Sequence, residues 1–239
     1  MLTERLKNDN WALHQIAERQ PTPGSLIKGT MPKAGYLAML GQQYLLNSAF
    51  DTALAEARTN NPQVESLINE EHLLTPYLIE DLEHFGIERS TLAPTPGTQR
   101  FMDHVAAHKD QPLHLLGLHY VRLGACNGNT FVARVVRKSY NITDPTQGTR
   151  YLDPFGKEQR KGWVAFKESL DSIEFTDEQQ DEVFAGTRAA YVLSINLDFE
   201  QFKDAETLLL ENGQSLDKNE FDAHHSAHIS PAMHAELDA

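Results

Sequence analysis

The chain has 239 residues, and Lys+Arg 21 against Asp+Glu 34 gives a formal net charge of −13. That length suits one sizeable domain with its own core. The acidic balance excludes the broad basic footprint of non-specific nucleic-acid binding. A lone cysteine, Cys126, excludes an intrachain disulfide; the opening Met1-Leu2-Thr3-Glu4-Arg5-Leu6-Lys7 has no apolar secretory core, and no apolar run is long enough for a membrane span, so a cytoplasmic protein is expected.

Apolar residues recur at helical spacing in most segments, which predicts an all-α fold, a single multihelical domain over residues 1–212. Leu2, Leu6, Leu13 and Ala17 line one side of a first helix that should stop near Pro21 and Pro23. Thr30 and Pro32 then open a long helix whose apolar face, Tyr36 to Leu54, runs to Asn60-Asn61-Pro62. One or two helices follow between Gln63 and Phe85, closed by Gly86, and Ala93-Pro94-Thr95-Pro96-Gly97 is a break. A helix from Thr98 to about His108 precedes a long one that starts near Pro112 and reaches Tyr140. Residues 141–156 are turn-rich. Two helices remain, about Lys157–Ile173 and Thr176–Asn212; Thr176-Asp177-Glu178-Gln179 has capping-box character, and a bend is expected near Gly186. Hydrophobic spacing fades in residues 213–239, a His-rich tail carrying His224, His225, His228 and His234 that is expected to be flexible; metal binding by its imidazoles is the less favoured alternative, since no cysteine partners or fixed geometry accompany them.

Two patterns carry chemistry. Gly124 and Gly128 lie inside the long helical stretch around Pro112–Tyr140, where each glycine costs about 1 kcal/mol relative to alanine. Such residues either let two helices cross closely or leave bare backbone against a flat cofactor, with the polar Asn127 reaching into the same space. On the first helix Lys7, Asn10, His14 and Glu18 share one face, either as a solvated polar stripe or as an iron site. In the second reading His14 ligates through one ring nitrogen, Glu18 holds the other, and Lys7 reaches an anionic edge of the cofactor.

Taken in order, Leu2-Thr3-Glu4-Arg5-Leu6-Lys7, Trp11-Ala12-Leu13-His14-Gln15-Ile16-Ala17-Glu18, Lys28-Gly29, Asp81-Leu82, Thr95-Pro96 with Gln99-Arg100-Phe101, and Arg122-Leu123-Gly124 with Gly128 resemble the haem oxygenase family. Ser172-Ile173-Glu174-Phe175-Thr176 and Ala189-Ala190-Tyr191-Val192-Leu193-Ser194-Ile195 continue the likeness, which spans roughly residues 2–202. It implies a haem-oxygenase-like helical bundle that binds haem as cofactor and substrate and cleaves it with dioxygen to biliverdin, iron and carbon monoxide. Electrons come from an external donor, a reductase or ferredoxin. It also implies roles: His14 as iron ligand supported by Glu18, Lys7 and Lys167 at the propionates, and Gly124 and Gly128 against the haem face.

The chain departs from the family's distal pattern Gly-Asp-x-Ser-Gly-Gly. Ala125 stands where the aspartate anchors a proton-delivering water network, Asn127 replaces the serine and Asn129 the last glycine. Asn127 is therefore the expected holder of distal water, although an amide is no general acid. Trp163 and Lys167 stand where the family often has two basic residues, with Arg160 and Lys161 nearby. Alternatives are a haem-binding protein without turnover and a member of the fold that no longer binds haem. Among those, Cys126 as nucleophile is set against its reading as a small buried hydrophobe, and Glu80, Asp81 and His84, or the pair His104 and His108, as dimetal ligands against solvated surface.

Overall fold

Proline and asparagine punctuate the chain, and helices begin where they stand. The computed structural model describes residues 1–211, with side chains described through Leu197; among these residues there is no strand. Its helices are α1 (Leu2–Asp9), α2 (Trp11–Glu18), α3 (Pro21–Lys28), α4 (Lys33–Asn60), α5 (Pro62–Leu67), α6 (Thr75–His84), α7 (Pro96–Ala107), α8 (Pro112–Ser139), α9 (Gln159–Ser172) and α10 (Asp177–Glu211). The expected starts hold: Asn61 Oδ1 accepts from the amides of Gln63 and Val64 at 2.9 and 3.1 Å, and Thr176 and Gln179 cap each other at 3.0 and 3.3 Å.

The first stretch differs from expectation. Instead of one helix up to Pro21, there are two short ones, and a third starts at Pro21 itself. At Asn10 the backbone leaves helical geometry (φ −103°, ψ 8°), and its Nδ2 donates to the Leu6 carbonyl at 3.0 Å, the acceptor its own amide would use in a continuous helix. Pro21 forces Gln20 into an extended conformation and then occupies the first turn of α3, where a missing N–H costs nothing. A helix-stopping residue was equally a helix-starting one.

α8 and α10 form the central pair. A Cβ on Gly117 would lie 2.1 Å from the Val183 carbonyl oxygen, and one on Gly186 would lie 2.0 Å from that of His114. The backbones therefore touch, and only glycine at both points permits it. Gly186, where a bend was expected, marks this crossing in an unbroken helix. Leu115, Leu116 and Leu118 bury beside it, against Phe50 and Leu54 of α4 and Leu170 of α9. A second cluster joins α4, α6 and α8 through Tyr36, Leu40, Leu78, Leu82 and Val132. α2 rests on α10 through a third, smaller cluster of Leu13, Ile16 and Ile195. The turn-rich segment 141–156 is fastened to this frame: the buried Asp81 carboxylate accepts the Arg150 and Tyr151 amides at 2.8 Å each, and the Tyr36 hydroxyl donates to the Gly148 carbonyl at 2.9 Å.

Candidate functional site

His14 sits in the middle of α2, half-buried, with its ring stacked on Trp11 at 5.2 Å and meeting the edge of Tyr191 from α10 at 5.8 Å. Its Nε2 lies 3.6 Å from Glu18 Oε1, one turn on, a distance for an ion pair rather than a hydrogen bond. Its Nδ1 is enclosed and has no partner. A buried imidazole nitrogen left unsatisfied is costly, and a ligand on this ring would remove that cost. Lys7, on α1, holds its Nζ 6.0 Å from the Trp11 ring, so the stripe Lys7, Trp11, His14 is continuous across the break at Asn10.

Gly124 and Gly128 both lie within the unbroken α8. Unlike Gly117, neither meets another backbone. A Cβ on Gly128 would find nothing within 4 Å, and one on Gly124 would touch only the Trp163 ring at 3.4 Å. Close helix crossing therefore does not account for this glycine pair. Trp163 stacks on Phe166 at 5.8 Å and tilts against Tyr120 at 5.1 Å, and Lys167 places its Nζ 5.4 Å from the Trp163 ring. Burial, with Tyr120 as a smaller cause, pushes the Tyr191 hydroxyl up. Aromatic rings thus flank both candidates, Trp11 and Tyr191 at His14 and Trp163 with Tyr120 at Gly124. Asn127 Nδ2 donates to the Gly124 carbonyl at 3.0 Å, which leaves Oδ1 as the acceptor this side chain can offer outward. Arg160 and Lys161 are exposed at the start of α9.

One turn before the glycines, Arg122 anchors α8 to α4 in a buried polar knot that the sequence reading did not single out. Its Nη1 pairs with Asp51 and donates to Asn47 Oδ1 at 3.2 Å. Its Nη2 donates to the His72 carbonyl at 3.0 Å and to His119 Nδ1 at 3.1 Å. Asp51 Oδ2 in turn accepts from the Thr75 amide and hydroxyl at 2.7 and 2.6 Å, serving an orphan N–H at the start of α6. Burial, with the Arg122 charge alongside, holds His72 down at about 4 and His119 well below its ordinary range. Both rings are neutral at pH 7. The available signal was Asp51 within the apolar face of α4 and the i, i+3 pair His119 and Arg122.

The non-haem candidates fare differently. Cys126 is buried, and burial pushes its thiol up to about 12, so it behaves as the small hydrophobe and not as a nucleophile. Asp81 is spent on the 150–151 amides, Glu80 pairs with Arg150 Nε at 3.0 Å and His84 Nδ1 meets Gln147 Oε1 at 3.0 Å, so these three do not converge on a metal. His104 and His108 are not a solvated pair: they are partly buried and clustered with His114. The His-rich tail lies outside the described residues.

Residues 1–200 match the family model described as Heme oxygenase. The chain belongs to the haem oxygenase family. It is 23% identical over 209 residues to a heme oxygenase of Porphyra purpurea, covering 85% of this chain and 87% of that one. It is 21% identical over 211 residues to one of Guillardia theta, covering 86% of each. Among solved structures, heme oxygenase-2 of Synechocystis sp. PCC 6803 in complex with heme and NO superposes with TM-score 0.81 at 19% identity, covering 94% of this chain and 92% of that one. Heme oxygenase-1 of the same cyanobacterium in complex with heme gives 0.76 at 17%, covering 89% and 99%. At such identities the superpositions speak for the fold, an all-α haem oxygenase bundle. No helix among the described residues is long and apolar enough to cross a membrane.

The residues at the site fit the haem this family binds. The partnerless nitrogen of His14 suits an iron ligand, the open backbone at Gly128 with the Trp163 ring beside Gly124 suits a flat macrocycle, and the ammonium groups of Lys7 and Lys167 suit carboxylates.

Proposed function

We propose that this haem oxygenase family member holds haem between α2 and the Gly124–Gly128 stretch of α8 and cleaves it to biliverdin, iron and carbon monoxide. The observation that carries the reading is the pair of helical glycines that meet no other backbone, Gly128 under open space and Gly124 against only the Trp163 ring, on a helix whose other glycine is packed to backbone contact. Bound haem supplies the iron at which dioxygen reacts and is itself the molecule consumed. Everything else is done by the chain. His14 would hold the iron through one ring nitrogen and Glu18 the other nitrogen, setting the tautomer and ring direction. Lys7 and Lys167 would pair with the propionates and orient the haem. Gly124 and Gly128 would let backbone approach the haem face with no side chain of their own between. Asn127, its amide tied to the Gly124 carbonyl, offers Oδ1 to a distal water. Ala125 holds no proton, so protons reach the site through water positioned by Asn127 and not from a carboxyl group. The reading requires dioxygen and an external reductase or ferredoxin as electron donor, and it places the protein in the cytoplasm.

The test is a haem titration of the full chain with His224, His225, His228 and His234 changed to Asn, followed by a reductase system in air. Stoichiometric binding and bilin absorption are the expected outcome. His14→Ala should abolish the histidine-ligated spectrum and weaken binding at least tenfold, about 1.4 kcal/mol; an unchanged spectrum sinks the assignment. Asn127→Ala should slow bilin formation without changing affinity. Ala125 is the observation behind a second reading, a haem carrier, which tight binding without bilin formation would establish.

A further inference from the structure

At the turn from α7 into α8, well away from the haem face, three imidazoles converge. His104 lies in the last turn of α7, His108 four residues on caps its C-terminus, and His114 lies in the first turn of α8. One ring nitrogen of each falls within 4.8 Å of those of the other two. His104 Nε2 and His114 Nε2 are 2.9 Å apart, and His108 stacks on His104 and on His114 at 4.1 and 4.2 Å. With 1.5 Å of rise per residue, His114 is about 15 Å along α8 from Gly124. None of the haem chemistry uses it.

We propose that His104, His108 and His114 form a second, structural metal site that binds a divalent transition ion of the zinc, copper or nickel type. Imidazole nitrogen is the ligand these ions share. Three features prepare the cluster. His108 Nδ1 lies 2.7 Å from the His104 carbonyl, so its N–H donates there and the lone pair stands on Nε2, the outer hydrogen bond typical of a metal-binding histidine. Burial, with His108 beside them, holds His104 and His114 at about 4, so both are neutral with lone pairs available at pH 7. Glu182 of α10 accepts from the His114 amide at 3.2 Å, adding negative charge beside the cluster, and the carbonyl end of α7 favours a cation there as well.

Binding balances simply. The 2.9 Å contact between two neutral rings is an N–H···N bond, so one of the two Nε2 atoms carries a proton that moves to Nδ1 as the metal arrives, with no net change in charge on the protein. Tetrahedral zinc at about 2.0–2.1 Å from each nitrogen sets the nitrogens about 3.3 Å apart. From their present separations of up to 4.8 Å the three nitrogens draw together by up to about 1.5 Å, with solvent in the fourth position. The ion would staple the α7–α8 turn and leave the haem site untouched.

The experiment is a zinc titration of the full chain against a chromophoric chelator, with the four tail histidines changed to Asn so that they do not contribute. One zinc per chain, with a rise in Tm, is expected. The double variant His104→Gln/His108→Gln should bind at least 100-fold more weakly and lose the rise in Tm. His108→Gln alone, at a partly exposed position that leaves the fold unstressed, should weaken binding at least tenfold with an unchanged circular dichroism spectrum. A tail-substituted chain that takes up no zinc, or variants that bind as the parent does, would overturn the proposal. Haem binding by each variant is read in parallel and should be unchanged.

Discussion

Gly117 and Gly128 stand on the same helix and do opposite things. At Gly117 the α8 backbone rests on the α10 backbone, and a single methyl has nowhere to go; at Gly128 a methyl would enter open space. The first half of α8 is packed to its limit and holds the bundle together. The second keeps a bare surface at the cost of helix propensity. A glycine in a helix is therefore read from what its absent side chain would meet.

That contrast can be broken by substitution. Gly117→Ala should have the largest effect of these changes, costing about 3–5 kcal/mol and lowering Tm by about 10 °C, because the added carbon meets the α10 backbone at Val183, Gly186 and Thr187. Thermal melts that match the parent's would remove the claim that α8 and α10 touch there.

Acid should expose the packed half next. His119 lies between the two glycines, is fully buried, and has its pKa depressed well below the unfolded value near 6.5. A base held neutral in the fold contributes stability that is complete above pH 6.5. As pH falls the unfolded chain takes up the proton first, and stability is lost by up to about 1.4 kcal/mol per pH unit. His72, His104 and His114, each at about 4, add losses of the same sign, so the decline runs on toward pH 4. Urea denaturation from pH 7.5 to 5 measures it, and His119→Gln should flatten the slope.

The smallest effect has the opposite sign. Gly128→Ala removes a helix-weakening residue without a clash and should stabilise the fold by about 1 kcal/mol, or roughly 2–4 °C in Tm. Under the proposed function it should also disturb the haem spectrum or shift the cleavage position. Stabilisation with unaltered haem behaviour would mean that the open face has another purpose.

Much of this was legible in the sequence because helices announce their ends. Asn61-Pro62, Thr95-Pro96 and Thr176 to Gln179 are local signals, and local physics enforced them. The break at Asn10 was not legible, since an asparagine that bonds its own helix looks the same as one that faces solvent. Pro21 does mark the stop its sequence predicts, but the start of α3 was not legible there, because its fixed φ both prevents one helix from continuing and suits the first turn of the next. For the proposed site, spacing and family likeness are what point to His14, Glu18, Lys7, Gly124 and Gly128. The Arg122, Asp51 and His119 knot and the convergence of His114 on His104 and His108 depend on long-range packing that no window of sequence contains. The pair His104 and His108 was visible, yet its burial was not.

The interruption at Asn10 has a mechanical consequence. α1 is nailed to α9, where the Thr3 amide and hydroxyl donate to the Asp171 carboxylate at 2.9 and 2.5 Å. α2, only eight residues long, is held chiefly by Leu13 and Ile16 against Ile195. A helix so short has little stability of its own. The histidine therefore rides on a short helix set off from α1 at Asn10 and seated on α10 through a small apolar patch, while α3 beyond it packs on α8 and α10. The direction of its ring is thus set by α10 and not by the α1 anchor.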